Sequence, residues 1–410
     1  MHRMDYSKGK RGQLLTTDFI LSLAIFLAIL LTAMGLWNSV DTQIRDAENR
    51  RDMQAISTYV SDTLVRNPGV PQNWTNNTVQ VIGLAKDEHD IDMDKVLAFK
   101  HMDYDRASFI LRLRNYNFYV WITDSNGYDL TSGVVRSPVA LIIHRKSGTD
   151  YAKMLNNTVI EWDLYWDDNN GAGGGDDLTA SFINDQHFTS VNSYPSSGIN
   201  SVITSFDKLM NNQSSYRTII IEDIGLNNDT TANVSGLINF TSRGGILVYT
   251  DGLASPINPL IGGKLGMSFG VCGVLAPSTK VNYTNPLLLN ASTNDEILFS
   301  TRTRGAYSNP AWNDNELHVL AKSSIPTLCQ VCWWDYEFGR VYYIEDTNGT
   351  INFVSGGSDQ LMPHLNVVGE NLTIGKRQTS QTTDLISIRR MAILSGFNRE
   401  VANLYMSVWR

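Results

Sequence analysis

From Phe19 to Trp37 the chain runs for 19 residues without a charge. At ~1.5 Å of rise per residue, such a helix nearly spans the ~30 Å hydrocarbon core of a bilayer. The run is too long for the apolar core of an ordinary secretory signal, and no small-x-small cleavage site follows it. No helix breaker appears before Asn67-Pro68-Gly69. Beyond Trp37 the apolar positions Val40, Ile44, Met53, Ile56, Val60 and Leu64 fall mostly three or four apart, a one-sided stripe. The pattern predicts one helix from about Leu14 to Arg66, roughly 80 Å long. Its first half is apolar all round and its second half has one sticky face.

Downstream the period changes. Ser108-Phe-Ile-Leu-Arg-Leu-Arg114 and Tyr116 to Thr123 read as strands, Asp124-Ser-Asn-Gly127 as a turn, and Pro138 to His144 as another strand. A long helix on a small antiparallel sheet is an α+β unit. At the far end, Leu385 to Leu394, a turn at Ser395-Gly396, and Ala402 to Trp409 read as a closing hairpin. The middle is different. Thr158 to Trp166 is a strand candidate, and an Asp/Asn/Gly-rich stretch to Asp177 reads as a loop. Ile199 to Asn211 has helical spacing, Thr218 to Asp223 is a continuous apolar strand, and Val234 to Thr241 is a short helix. Gly245 to Thr250 and Gly339 to Glu345 are further buried strands. Alternating strands and helices with unbroken apolar strands predict a doubly wound parallel sheet.

Composition narrows the function. Of the 410 residues 18% are charged, against about a quarter in typical soluble proteins. Aromatic residues make up 10%, which excludes global disorder. The net charge of −8 offers no basic stripe for nucleic acid. Arg3, Lys8, Lys10 and Arg11 outweigh Asp5 before the apolar run, whereas signs are mixed after it. Positive flanks stay inside, so the N-terminus is expected inside and the remainder outside. The sequon Asn-x-Ser/Thr occurs at Asn73, Asn76, Asn156, Asn212, Asn228, Asn233, Asn239, Asn282, Asn290, Asn348 and Asn371. Chance would give roughly five or six, so a glycosylated outer surface is expected.

The leader Lys8-Gly9-Lys10-Arg11-Gly12, then Gln13, then Asp18 just inside the apolar helix resemble the N-terminus of archaeal type IV pilin-like proteins, with their class III signal peptide. The resemblance implies cleavage between Gly12 and Gln13 by a membrane-embedded prepilin peptidase. It also implies that Asp18 pairs with the terminal amine of a neighbouring subunit. A carboxylate in an apolar helix is costly unless paired. Here the acid is the sixth residue after the cut, whereas the usual pilin acid is the fifth. The C-terminal hairpin is similar to strands that complete the head sheet of small archaeal pilin-like proteins.

The middle segment resembles non-catalytic relatives of the class I glutamine-amidotransferase-like superfamily. The residues that carry this are Ile219-Ile-Ile-Glu-Asp223, Leu237 through Gly252, and Gly339 through Asp346. In the catalytic members a cysteine sits on the tight turn after a strand. Here that turn is Asp251-Gly252, with no thiol or hydroxyl, so no enzyme and no catalytic residue is expected. Gly270-Val-Cys272-Gly273 mimics a nucleophile turn, but its second glycine falls one position early, and Cys272 reads as a packing cysteine. Cys329-Gln-Val-Cys332 lacks the second ligand pair of a zinc site. A disulfide within the trio Cys272, Cys329 and Cys332 fits an extracellular location, with the pair left open and one thiol over. The stretch Asp163 to Asp177 does not have the acid spacing of a calcium loop. Glu222-Asp223 and Glu345-Asp346 fall at the carboxyl ends of the predicted parallel strands, the ligand edge of open α/β sheets, though capping or solvation explains them equally well. No cofactor or metal is expected.

The expected fold is therefore an α+β pilin-like unit, a long N-terminal helix plus antiparallel sheet, with an inserted α/β doubly wound domain. Its segments are a leader (1–12), the helix (13–66), the first part of the head (67–157), the amidotransferase-like domain (158–355) and the strands completing the head (356–410). The expected function is a minor or tip subunit of a cell-surface filament that presents the inserted domain for adhesion or ligand binding. Its partners would be the prepilin peptidase, the membrane before assembly, and other pilin-like subunits through the helix. The alternative is a single-pass, membrane-anchored extracellular binding protein or enzyme that does not polymerise.

Overall fold

A computed structural model describes residues 8–113, 115–143, 150–156, 158, 160–168, 191–197, 201–222, 234–250, 265, 267–275, 278–281, 287–288, 291–298, 302–308, 318–323, 329–344, 350–361, 364–379, 384–395 and 400–410. One helix, α1 (Lys8–Arg66), opens the chain and spans 59 residues. It stops where Pro68 removes a backbone donor and Gly69 takes φ +85°, with Gly69 N–H donating to Asn67 Oδ1 at 2.8 Å. The stop is locked from two sides. Lys95 Nζ donates to the carbonyls of Pro68 and Ala85 at 2.9 and 2.8 Å, and Trp74 Nε1 donates to Gly83 at 2.9 Å.

The chain then forms β1 (Ala85–Asp87), β2 (Asp90–Asp92), α2 (Met93–Lys100), α3 (Tyr104–Ile110) and β3 (Asn117–Asp124). Helix α3 occupies part of the stretch expected as a strand from Ser108. Asp103 decides this locally, since its side chain caps the helix by accepting from Arg106 N–H at 3.0 Å.

From there the chain enters a larger sheet. It forms β4 (Val139–Ile143), α4 (Asp150–Asn156), β5 (Trp162–Asp168), β6 (Val191–Ser197), α5 (Ser201–Asn211), β7 (Thr218–Glu222), α6 (Val234–Ser242) and β8 (Ile246–Thr250). Six strands that sequence alone left mostly unread follow: β9 (Met267–Leu275), β10 (Ser278–Val281), β11 (Glu296–Leu298), β12 (Arg302–Ser308), β13 (His318–Ser323) and β14 (Cys329–Tyr336). The larger sheet ends with β15 (Gly339–Ile344), β16 (Thr350–Asn352) and β17 (Ser358–Gln360), and the chain leaves through β18 (Thr373–Gly375), β19 (Leu385–Ser395) and β20 (Glu400–Trp409).

Among the described residues the smaller sheet has six strands in the order β1-β2-β19-β20-β3-β18. It is antiparallel except where β19 runs parallel to β2. The C-terminal part of α1 lies on it, burying Met53, Val60, Leu64 and Val65 against Ala392, Leu394, Leu404 and Met406. Of the one-sided stripe, Met53, Ile56, Val60 and Leu64 meet this sheet, whereas Val40 and Ile44 are exposed.

Among the described residues the larger sheet has 14 strands, and its core is the parallel run β15-β8-β7-β4-β5-β6. Ranked by chain order, these read 3-2-1-4-5-6 from β6 across to β15, with the reversal between β4 and β7. Both faces are covered, which is why the strands read as unbroken apolar runs. On one face Ala140, Ile219 and Leu247 pack with Phe206 and Leu209 of α5 and Leu237 of α6. On the other, Leu141, Ile220 and Val248 pack with Tyr151 of α4 and with Val281, Ile297 and Ile351 of the antiparallel extension.

Two expected boundaries move. Strand β4 pairs with β5 and β7, so the larger sheet starts at Val139 rather than at 158, and β17 carries it past 355. The reason is that β4 is buried along its whole length, which the middle of a covered parallel sheet allows. Entry and exit lie side by side. Ser132 N–H donates to Glu370 O at 2.8 Å, Glu370 N–H donates to Ser132 Oγ at 2.9 Å, and Thr131 bridges Asn371.

Candidate functional site

The first half of α1 is bare. Its apolar residues are exposed on every side, from Phe19 at 68% to Trp37 at 76%. It is long and apolar enough to cross a membrane. Thr32 Oγ1 donates to Ala28 O at 2.8 Å, so this hydroxyl is satisfied within the helix and needs no water. An apolar surface of this extent requires cover by lipid or by other helices. Attachment to the sheet begins at Arg50, which pairs with Asp384 at 3.4 Å, and continues at Asp62, which accepts from Arg390 at 2.7 Å. The stretch from Asp18 to Arg50 therefore projects ~50 Å from the sheet at 1.5 Å per residue.

Gly12 and Gln13 lie in the first turns of α1, with their side chains outside the described residues. Asp18 is exposed at the start of the apolar stretch. Among the sequons, Asn73, Asn212 and Asn239 are exposed, and Asn76, Asn156 and Asn371 are half-buried. Asn228, Asn233, Asn282, Asn290 and Asn348 lie outside the described residues.

The backbones of Cys272 and Cys329 lie in β9 and β14, both of which pair with β12, while their side chains lie outside the described residues. Cys332 is fully buried beside Trp334 and Tyr343. Among the described residues, no group of three or more His, Cys, Asp or Glu side chains is placed to hold a metal ion. Glu222 ends β7, next to the reversal point of the parallel run. Asp223, Glu345 and Asp346 lie outside the described residues. At the same edge, Tyr151 OH and Thr250 Oγ1 meet at 3.0 Å in the core.

The structure also brings together residues that sequence reasoning passed over. Asp163, inside the stretch expected as a strand from Thr158 to Trp166, belongs to β5. Tyr216 OH donates to its Oδ2 at 2.5 Å and meets Tyr165 OH at 2.7 Å. Burial, then the Asp163 carboxylate, then Tyr165 hold the Tyr216 phenol protonated far above its usual 10.0. The next residue, Arg217, pairs with Asp124 at the end of β3 and so joins the two sheets. The available signal was a lone arginine directly before a buried apolar strand, a position where a cation is placed to meet a partner rather than solvent.

No protein-family model matches the chain, and no curated protein matches it. Solved structures give distant likenesses. A ThuA-like protein from Bacteroides uniformis is 13% identical with a TM-score of 0.30, over 53% of this chain and 86% of that one. An exo-β-1,4-mannosidase from an Opitutaceae bacterium is 12% identical with a TM-score of 0.26, over 52% of this chain and 31% of that one. A cytoplasmic protein from Salmonella typhimurium is 12% identical with a TM-score of 0.26, over 51% of this chain and 87% of that one.

Proposed function

We propose that the chain is a minor or tip subunit of a type IV pilin-like surface filament, held in the membrane before assembly and carrying the larger sheet outward as a non-enzymatic binding module. The observation that carries this reading is the division of α1. One continuous helix has its C-terminal part, from Arg50 on, seated on the smaller sheet and its apolar first half bare on all sides. A signal anchor needs only the apolar half. Rigid continuation into a folded head is what a helix needs if it is to exchange lipid for neighbouring helices, with dispersion contacts supplying the cohesion. The leader's positive charge supports an N-terminus inside and the sheets outside. Asp18, exposed among apolar residues, supplies the carboxylate that a partner's terminal amine would neutralise.

The test is the intact mass of the N-terminus in protein purified from its native membrane or surface fraction. A chain beginning at Gln13 supports processing and assembly. A chain that retains Met1 to Gly12 overturns the filament reading and leaves a signal-anchored surface protein.

A further inference from the structure

Among the described residues the most exposed large apolar side chain is Phe338, at 88%. It sits on the two-residue turn between β14 and β15, whose last pair is Tyr336 with Gly339. Glu337, the other turn residue, takes φ +52°. That first turn position favours glycine or asparagine, because most side chains are strained there. The tip therefore departs from what local folding rules would put there, and presents a bare ring beside a carboxylate. Glu337 is exposed, and its carboxylate makes no ion pair or hydrogen bond among the described residues.

A groove of about 90 Å³ lies on the smaller sheet's side of the molecule, against the last turns of α1. Tyr59 and Thr63 form one wall, Val81 a second, and Ile110 and Arg112 at the end of α3 a third. Small-molecule sites run to about 300–1,000 Å³, so this groove has room for one side chain only. Tyr59 and Val81 are exposed along it. Arg112 follows the cap residue of α3 with φ +61°, the left-handed position where helices commonly end on glycine. Its side chain is exposed, and the guanidinium makes no ion pair or hydrogen bond among the described residues.

Tip and groove are complementary. An apolar ring faces a slot of side-chain size, and an unpaired acid beside the ring matches an unpaired arginine beside the slot. Both charges sit on backbone positions that glycine would hold with less strain. Within one copy the two do not meet, since Phe338 is bare. Their heights along the molecule correspond. Asp62, one turn beyond Tyr59, holds Arg390, which is in register with Leu404 and Ile122. Two residues on from Ile122, Asp124 pairs with Arg217. From Thr218 the register crosses to Ile246 and Arg340, at the base of the exposed turn. Two strand spacings, roughly 10 Å, carry that turn sideways from Arg217. Copies anchored by α1 in one membrane share one orientation, so the tip of one stands beside the groove of the next.

We propose that Phe338 and Glu337 of one copy dock on a second copy, with the ring in the groove beside Tyr59 and the carboxylate on Arg112. The contact joins two different surfaces, so each pair keeps a free tip at one end and a free groove at the other, and the association can continue. It rests on the anchoring in the reading above but not on leader cleavage. The N-terminal mass therefore tests processing, and the experiment below tests the contact.

The full-length Arg112→Lys variant keeps the charge and supplies an amine that a zero-length carbodiimide can couple to a touching carboxylate. Copies with natural and heavy nitrogen are mixed in phosphatidylcholine vesicles, coupled and digested, and linked peptides are identified by mass. A mixed-isotope link between Glu337 and position 112 is the expected result. Adding Phe338→Ala or Tyr59→Asp is expected to lower its yield about tenfold, as for a central interface residue. Both side chains are exposed, and circular dichroism checks the fold of each variant. Absence of that link in the folded Arg112→Lys chain, links from position 112 to other carboxylates only, or an unchanged yield in both further variants would overturn the proposal.

Discussion

Arg390 of β19 donates through Nε to Asp62 of α1 at 2.7 Å, across 328 residues of chain. The pair clamps the end of the helix to the sheet that seats it. Both side chains are partly solvated, at 26% and 40% exposure, so solvent screens the attraction. Asp62→Asn is expected to lower stability by about 0.5–1 kcal/mol at low salt, and by less at high salt. Urea unfolding at two ionic strengths measures this. A salt-independent loss would mean that the effect is one of packing.

The ion pair of Arg217 with Asp124 should weigh more. Asp124 is 3% exposed, and its other oxygen accepts from the backbone of Asn126 and Tyr128 at 2.8 and 3.0 Å. Arg217→Ala would leave a buried carboxylate without its cation, at a cost of about 2–3 kcal/mol. Because the pair links the two sheets, the variant is also expected to separate their unfolding. Tryptophan fluorescence and far-UV circular dichroism, coincident in the wild type, would then give different midpoints.

Glu370 predicts a pH dependence. Burial pushes its carboxyl up, but hydrogen bonds from Lys100 and His101 outweigh that and hold it below the usual 4.5. Lys100 Nζ lies 2.8 Å away and His101 Nε2 lies 3.0 Å away. A depressed carboxyl contributes stability that is present above its unfolded pKa and lost as the pH falls through its folded pKa. The wild type should therefore lose stability below about pH 4.5 more steeply than Glu370→Gln. Urea midpoints across that range decide it, and parallel curves would remove Glu370 from the account.

Two glycines should respond in opposite degree. A Cβ on Gly133 would lie 2.5 Å from Val367 O, a backbone atom that cannot yield. Gly133→Ala is expected to cost about 3 kcal/mol or more, with the damage at the crossing between the sheets. Gly127, unlike Gly133, has a positive φ, +92°, but open space around it. Gly127→Ala should cost only about 1 kcal/mol, the strain of a left-handed alanine. Thermal unfolding of the two variants gives the comparison.

Periodicity and continuity carried most of what could be read from sequence. The uncharged run and the stripe to Leu64 mark α1, and Thr218 to Glu222 and Ile246 to Thr250 announce buried strands because each is apolar throughout. Ser108 to Arg114 misled because an apolar run of that length suits a strand as well as a helix. The arbiter was the cap at Asp103, five residues earlier. Strand β4 reads as buried, but nothing local says which sheet buries it, since allegiance depends on partners at Trp162 and Thr218. The groove beside Tyr59 was invisible for a similar reason. Its walls come from α1, the stretch around Val81 and the end of α3, and none of these carries a motif.

The contact between Ser132 and Glu370 closes a ring. Everything from Gly133 to Gly369 departs from one point of the smaller sheet and returns to it, while all six strands of that sheet lie outside the ring. The smaller sheet is thus a socket, and the larger one is its cargo. A short splice from Ser132 to Glu370 would remove the cargo without deleting any strand of the socket. Any other domain whose ends meet at the same spacing could be plugged in there, so the larger sheet could be exchanged wholesale while the helix and its seat stay the same.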